Sequence, residues 1–160
     1  MDITQPEDVA ADWVFAYGSL IWNPEFNYQR AELGCLYGYH RAFCIGSTRY
    51  RGTPERPGVV LGLDRGGICI GVLYQLPSTG RHDALTQLFR REMPVWEDRV
   101  YRPSELSARL ADGSQVRALA FVAERSSRSY RRMPEDEVLA RLRDSRLERI
   151  ARLLTNDPVR

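Results

Sequence analysis

Apolar positions along this chain alternate with polar ones, or gather in short runs, far more often than they recur at helical spacing. Mostly strands are therefore predicted. Trp13 to Gly18 reads as a strand, and Asn23 to Gln29, with Pro24 and two asparagines, as a loop. "LGCLYGYHRAFCIGS", Leu33 to Ser47, is rich in β-favouring residues and forms one bent strand or two, with Gly34, Gly38 and Gly46 allowing bulges or tight packing. Arg49 to Gly58 is a long loop. "VVLGL" and "ICIGVLYQL" pair across a "DRGG" turn. The stretch Val100 to Glu124 is a second hairpin, turning at Asp112-Gly113.

Two regions carry helical spacing. After Pro77, Ser78 and Thr79 can cap a helix running to about Met93, which Pro94 ends. Pro134, followed by Glu135, Asp136 and Glu137, opens another. Ser145 with Glu148 makes a capping box that divides this last region into two short helices. The first dozen residues lack periodicity and are expected to form a loose tail. Strands that dominate, with helices inserted once and at the end, give an α+β fold, a small mixed β-barrel or sheet with flanking helices. A doubly wound sheet would alternate the two. With no linker or repeat, residues 1–160 form one domain.

Two irregularities in this pattern point to chemistry. In "VFAYGSLIW" an apolar run is broken by Gly18-Ser19, which marks either a β-bulge or main chain that something must approach closely. In the first helix, Leu85, Leu88, Phe89 and Glu92 stand at i, i+3, i+4 and i+7, so the core stripe ends in a glutamate. A carboxylate on an inward face is paired, hydrogen-bonded or protonated, and desolvation lifts its pKa towards the range of a general acid or base. A position in the last turn also lets it swing to solvent or pair with Arg90 or Arg91 beside the stripe.

Composition removes alternatives. The chain has 160 residues, 43% hydrophobic and 28% charged, with a net charge of +2, so no strong field for nucleic acid is implied. No apolar run reaches the roughly 18 residues of a membrane span, and "MDITQPEDVAADW" is not a secretory signal, which favours the cytoplasm. All 23 basic side chains are arginine, and without lysine there is no Schiff base, P-loop lysine or Ser-Lys dyad. Cys35, Cys44 and Cys69 form no CxxC pair, and His40 and His82 are too scattered for a metal site.

Four ordered stretches, "VFAYGSLIWNPEF", "GYHRAFCIGSTRYRGTPERPG", "GVLYQLP" and "FRREM", together resemble the signature blocks of the gamma-glutamylcyclotransferase family, ChaC branch, over about Val14 to Met93. The resemblance implies a gamma-glutamylcyclotransferase-like fold and cleavage of gamma-glutamyl compounds, glutathione foremost, into 5-oxoproline and a free amine, without metal or cofactor. It implies that Glu92 is the acid/base, that Tyr17, Gly18, Ser19 and Leu20 form the loop holding the gamma-glutamyl group, and that Arg51 meets a substrate carboxylate. The expected partner is a small gamma-glutamyl molecule, not nucleic acid or membrane. After Met93 the pattern departs: "LARLRDSRLERIARLL" stands where the branch has a glycine- and tyrosine-bearing block. This leaves two alternatives, turnover of another gamma-glutamyl amine or amino acid, and a non-catalytic gamma-glutamyl-binding protein.

Overall fold

A computed structural model of the protein describes residues 2–52, 57–93 and 99–154, and the side chains of 2–46, 58–93 and 99–144. The expected α+β architecture is present as a closed barrel of strands with two flanking helices. The strands are β1 (Trp13–Ala16), β2 (Arg30–Gly52), β3 (Pro57–Gln75), β4 (Tyr101–Leu110) and β5 (Gln115–Ala123), and the helices are α1 (Arg81–Glu92) and α2 (Glu135–Leu154). Around the barrel the order is β1-β3-β2-β4-β5. Pairing is antiparallel except where β1 closes the ring beside β5. No described helix is long and apolar enough to cross a membrane.

The apolar runs follow from this closure. β1 and β5 are covered on both faces, so neither shows alternation: all four residues of β1 are buried, and so are the last six of β5. Phe15, Leu36, Leu63, Leu73, Ala118, Ala120 and Val122 fill the barrel. Val14, Ala16, Leu119 and Phe121 point the other way, against Leu85, Leu88 and Phe89 of α1. The rings of Phe89 and Phe121 meet edge-on at 5.4 Å. Each such large side chain contributes roughly 1.5–3 kcal/mol by leaving water, which fixes α1 on the barrel and with it Glu92.

Several expectations are corrected. "DRGG" is no hairpin turn: β3 runs through it, and the register slips between Tyr37↔Ile68 and Tyr39↔Arg65. Gly66 and Gly67, at φ 101° and 74°, absorb the extra residues as a bulge in a long two-stranded arm. The loop placed at 49–58 shrinks, because β2 continues to Gly52 and pairs it with Pro57; residues 53–56 lie outside the described residues. α1 starts after Gly80, whose φ of 82° no Ser78 or Thr79 cap would require. α2 is one helix, so the Ser145–Glu148 box divides nothing. Nor do residues 2–12 hang free: Val9 and Ala11 are buried, and the Glu105 carboxylate accepts the Ala10 and Ala11 amides at 2.6 and 3.0 Å.

Candidate active site

Glu92 is the last residue of α1 and continues the stripe of Leu85, Leu88 and Phe89. Its side chain is 15% exposed. Burial pushes its pKa from the ordinary 4.5 to about 7, against the smaller opposing pull of the Arg91 guanidinium. Near neutral pH both protonation states are populated, as proton transfer in either direction needs.

A phenol stands by this carboxylate, and a second phenol stands by the first. Tyr17, just past the end of β1, donates its hydroxyl to the Phe121 carbonyl at 3.1 Å. Tyr101, at the start of β4, donates to the Leu61 carbonyl at 3.2 Å. Burial holds Tyr17 well above the ordinary phenol range, with further pushes from Tyr101, Glu92 and Cys44, so it stays a neutral donor.

The chain leaves β1 at Tyr17 and makes a short 3-10 turn over Ser19–Ile21. Its carbonyls are all engaged. Tyr17 accepts from Arg41 Nε at 2.6 Å, Gly18 from the Ile21 amide at 2.9 Å, and Ser19 from the Asn23 amide at 2.9 Å. The Tyr74 hydroxyl lies 2.9 and 2.7 Å from the carbonyls of Leu20 and Ile21. The amides of Gly18 and Ser19, by contrast, meet no acceptor among the described residues. A Cβ built on Gly18 would touch only Leu61 Cδ1, at 4.0 Å. The glycine thus keeps open ground in front of main-chain donors.

Arg91 joins the two halves. Its Nη2 donates to Ser19 Oγ at 2.9 Å, Nη1 donates to the Asn23 carbonyl and pairs with Glu25 at 3.1 Å, and Nε lies 3.7 Å from Glu92. Glu92 and the Gly18–Ser19 turn are therefore the width of one guanidinium and its contacts apart.

Of the residues singled out in the sequence, Glu92, Tyr17, Gly18 and Ser19 come together. Leu20 is 6% exposed and its side chain anchors the turn in the core; the side chain of Arg51 lies outside the described residues. Arg41, Tyr74 and Tyr101 were not foreseen, although "GYHRAF" and "GVLYQLP" contain two of them, and Arg91 was foreseen only as a neighbour of Glu92. His40 bridges to the Gly66 carbonyl at 2.9 Å, a structural role. The described residues contain no cluster of three or more His, Cys, Asp or Glu that could hold a metal.

A second buried carboxylate has the opposite character. Asp64 is 6% exposed and accepts from Arg125 Nε at 2.9 Å, the Tyr130 hydroxyl at 2.7 Å and the Arg65 amide at 2.9 Å. Burial alone would raise its pKa, but these donors outweigh it and the net direction is down. It is a fully engaged anion, suited to holding the 125–131 segment rather than to moving protons. Cys44 beside it has its thiol pushed up to about 11, chiefly by burial, which makes it a poor nucleophile.

A family model described as ChaC-like protein matches residues 12–146. The chain is 38% identical over 130 residues to the glutathione-specific gamma-glutamylcyclotransferase of Escherichia coli (strain K12), covering 81% of this chain and 55% of that one. It is 36% identical over 137 residues to glutathione-specific gamma-glutamylcyclotransferase 1 of Mus musculus, covering 83% and 60%. The chain thus spans little more than half the length of these relatives. A crystal structure of a yeast gamma-glutamyl cyclotransferase specific to glutathione superposes with a TM-score of 0.69 at 19% identity, covering 81% of this chain and 76% of that one, a likeness of fold.

Proposed function

From the premise that the chain belongs to the ChaC-like protein family, we propose that it is a gamma-glutamylcyclotransferase with glutathione as substrate. The observation that carries this reading is a desolvated glutamate, of pKa about 7, held across one arginine from a turn with two amides that meet no acceptor among the described residues.

The substrate brings its own nucleophile, the α-amine of the gamma-glutamyl group, which reaches the γ-carbonyl by closing a five-membered ring. Attack within one molecule makes positioning most of the task. Ionised Glu92 takes a proton from the α-amine as its nitrogen bonds to the γ-carbon. The carbonyl oxygen becomes an oxyanion, and the Gly18 and Ser19 amides are its donors, each worth about 3 kcal/mol by comparison with other oxyanion sites. As the intermediate collapses, the bond from the γ-carbon to the cysteinyl nitrogen breaks. Glu92 returns its proton to that nitrogen, leaving 5-oxoproline and cysteinylglycine. Tyr17 keeps a neutral hydroxyl near Glu92, with the Tyr101 phenol beside it. The small molecule is the only partner this chemistry requires, and the cytoplasm is the expected location.

A second substrate class keeps a place because the sequence after Met93 departs from the branch's pattern. Incubation of the protein with glutathione and, separately, with gamma-glutamyl amino acids, followed by assay of 5-oxoproline, tests both. Turnover of glutathione supports the first reading and turnover of the others alone the second. Binding without product leaves a binding protein.

A further inference from the structure

Glu25 is the only non-glycine residue with positive φ among the described residues, at 55°. Such backbone costs of order 1 kcal/mol or more and persists where the surroundings enforce it. Its carboxylate accepts from Asn23 Nδ2 at 3.1 Å and pairs with Arg91 Nη1 at 3.1 Å. Arg91 uses its remaining edges on Ser19 Oγ, the Asn23 carbonyl and Glu92. The guanidinium is a planar fork, so an anchor at one edge fixes the directions of the others. The Arg91 side chain is 21% exposed, against 60% for Glu25 and 15% for Glu92, so the fork is shielded on its Glu92 side and open to water on its Glu25 side.

We propose that Glu25 and Arg91 form a positioning pair that sets the separation between the acid/base Glu92 and the Gly18–Ser19 amides. This rests on the function proposed above. Neither residue need touch the substrate: Glu25 holds Arg91, and Arg91 holds the turn against the helix end. The pair also meters positive charge to Glu92, since Arg91 is shared between two carboxylates. Tyr17 also feels the Glu92 charge, and its hydroxyl, held well above the ordinary phenol range by burial, stays neutral across the working pH range.

The test combines kinetics with titration of the free protein. In Arg91→Gln, kcat should fall about 10- to 100-fold, as expected for a misplacement of about 1 Å, with KM changed less than about threefold. The acid limb of kcat/KM should move up by about one pH unit, because a nearby cation no longer favours ionised Glu92. Arg91→Lys should restore the acid limb, since the charge returns, but not kcat, since one compact ammonium cannot span the four contacts that the planar fork reaches. Glu25→Gln should move the limb down, because Arg91 is then shared with one carboxylate fewer. Carbon-13 NMR of the Glu92 carboxyl should follow the same shifts without substrate. If wild type releases no 5-oxoproline yet the NMR titration moves as stated, the pair stands and the proposed function falls. An unchanged titration in Arg91→Gln overturns the pair. So does a loss confined to KM, which would make Arg91 a ligand of the substrate carboxylate.

Discussion

Replacing Glu92 by glutamine should make the protein more stable above neutral pH. An unfolded glutamate ionises at 4.5, and this one in the folded chain at about 7. Between those values the native state keeps a proton that the unfolded chain has released, so stability falls as pH rises through the interval. Each pH unit is worth about 1.4 kcal/mol, and the full interval comes to about 3 kcal/mol, present at every pH above 7. The side chain is only 15% exposed, so solvent screening does not erase this cost. Glutamine has the same shape and no charge to desolvate. Thermal unfolding of both proteins from pH 4 to 8 is the assay. At pH 8 the variant should melt roughly 6–12 °C higher, at about 2–4 °C per kcal/mol for a chain of this size, and near pH 4 the two curves should meet. A variant less stable than wild type at pH 8, or a difference that does not change with pH, would refute the claim that Glu92 is held in a dry site.

Gly71→Ala should cost about 3 kcal/mol or more, because its Cβ would stand 2.2 Å from the Ala16 carbonyl oxygen and 2.8 Å from Phe15 Cζ, pushing β1 off β3; a melting temperature within 2 °C of wild type would contradict this. Gly18→Ala has room for its methyl group and should melt close to wild type, yet lose roughly tenfold or more of its turnover by shielding the turn's amides; full activity would remove the turn from the mechanism. Asp64→Asn should destabilise by about 2 kcal/mol at pH 7, towards the low end for a broken buried pair because Arg125 is 38% exposed. Since the folded pKa of Asp64 is depressed, its contribution is complete above 3.8 and fades as pH falls below it, so the melting curves of wild type and variant should converge in acid.

Local features were legible in the sequence. The turn at Asp112-Gly113, the proline and acids opening α2, and the glutamate on the stripe of α1 each state a conformational or burial requirement within a few residues. Illegible were features whose cause lies elsewhere in the chain. The "DRGG" stretch has hairpin chemistry, but its neighbours pair with β2 on both sides, so tertiary pairing turned it into a bulge. Residues 2–12 lack periodicity because Glu105, more than ninety positions away, supplies their anchor. Arg91 stands beside the apolar stripe, where the sequence offers it only Glu92 as a partner; Ser19, Asn23 and Glu25 become its neighbours only when α1 packs on the barrel. The two carboxylates differ for the same kind of reason: the segment after β5 brings Arg125 and Tyr130 to Asp64, whereas Glu92 is left one weak ion pair with Arg91.

The central claim is that one dry carboxylate moves the proton in a ring closure carried out by the substrate itself. Its most direct measurement is the rate of 5-oxoproline release from glutathione by wild type and by Glu92→Gln, both shown to be folded by their melting curves. The account predicts 5-oxoproline and cysteinylglycine in equal amounts from wild type, and no detectable product from the variant despite its higher stability at pH 8. A folded glutamine variant that releases 5-oxoproline at the wild-type rate would contradict it.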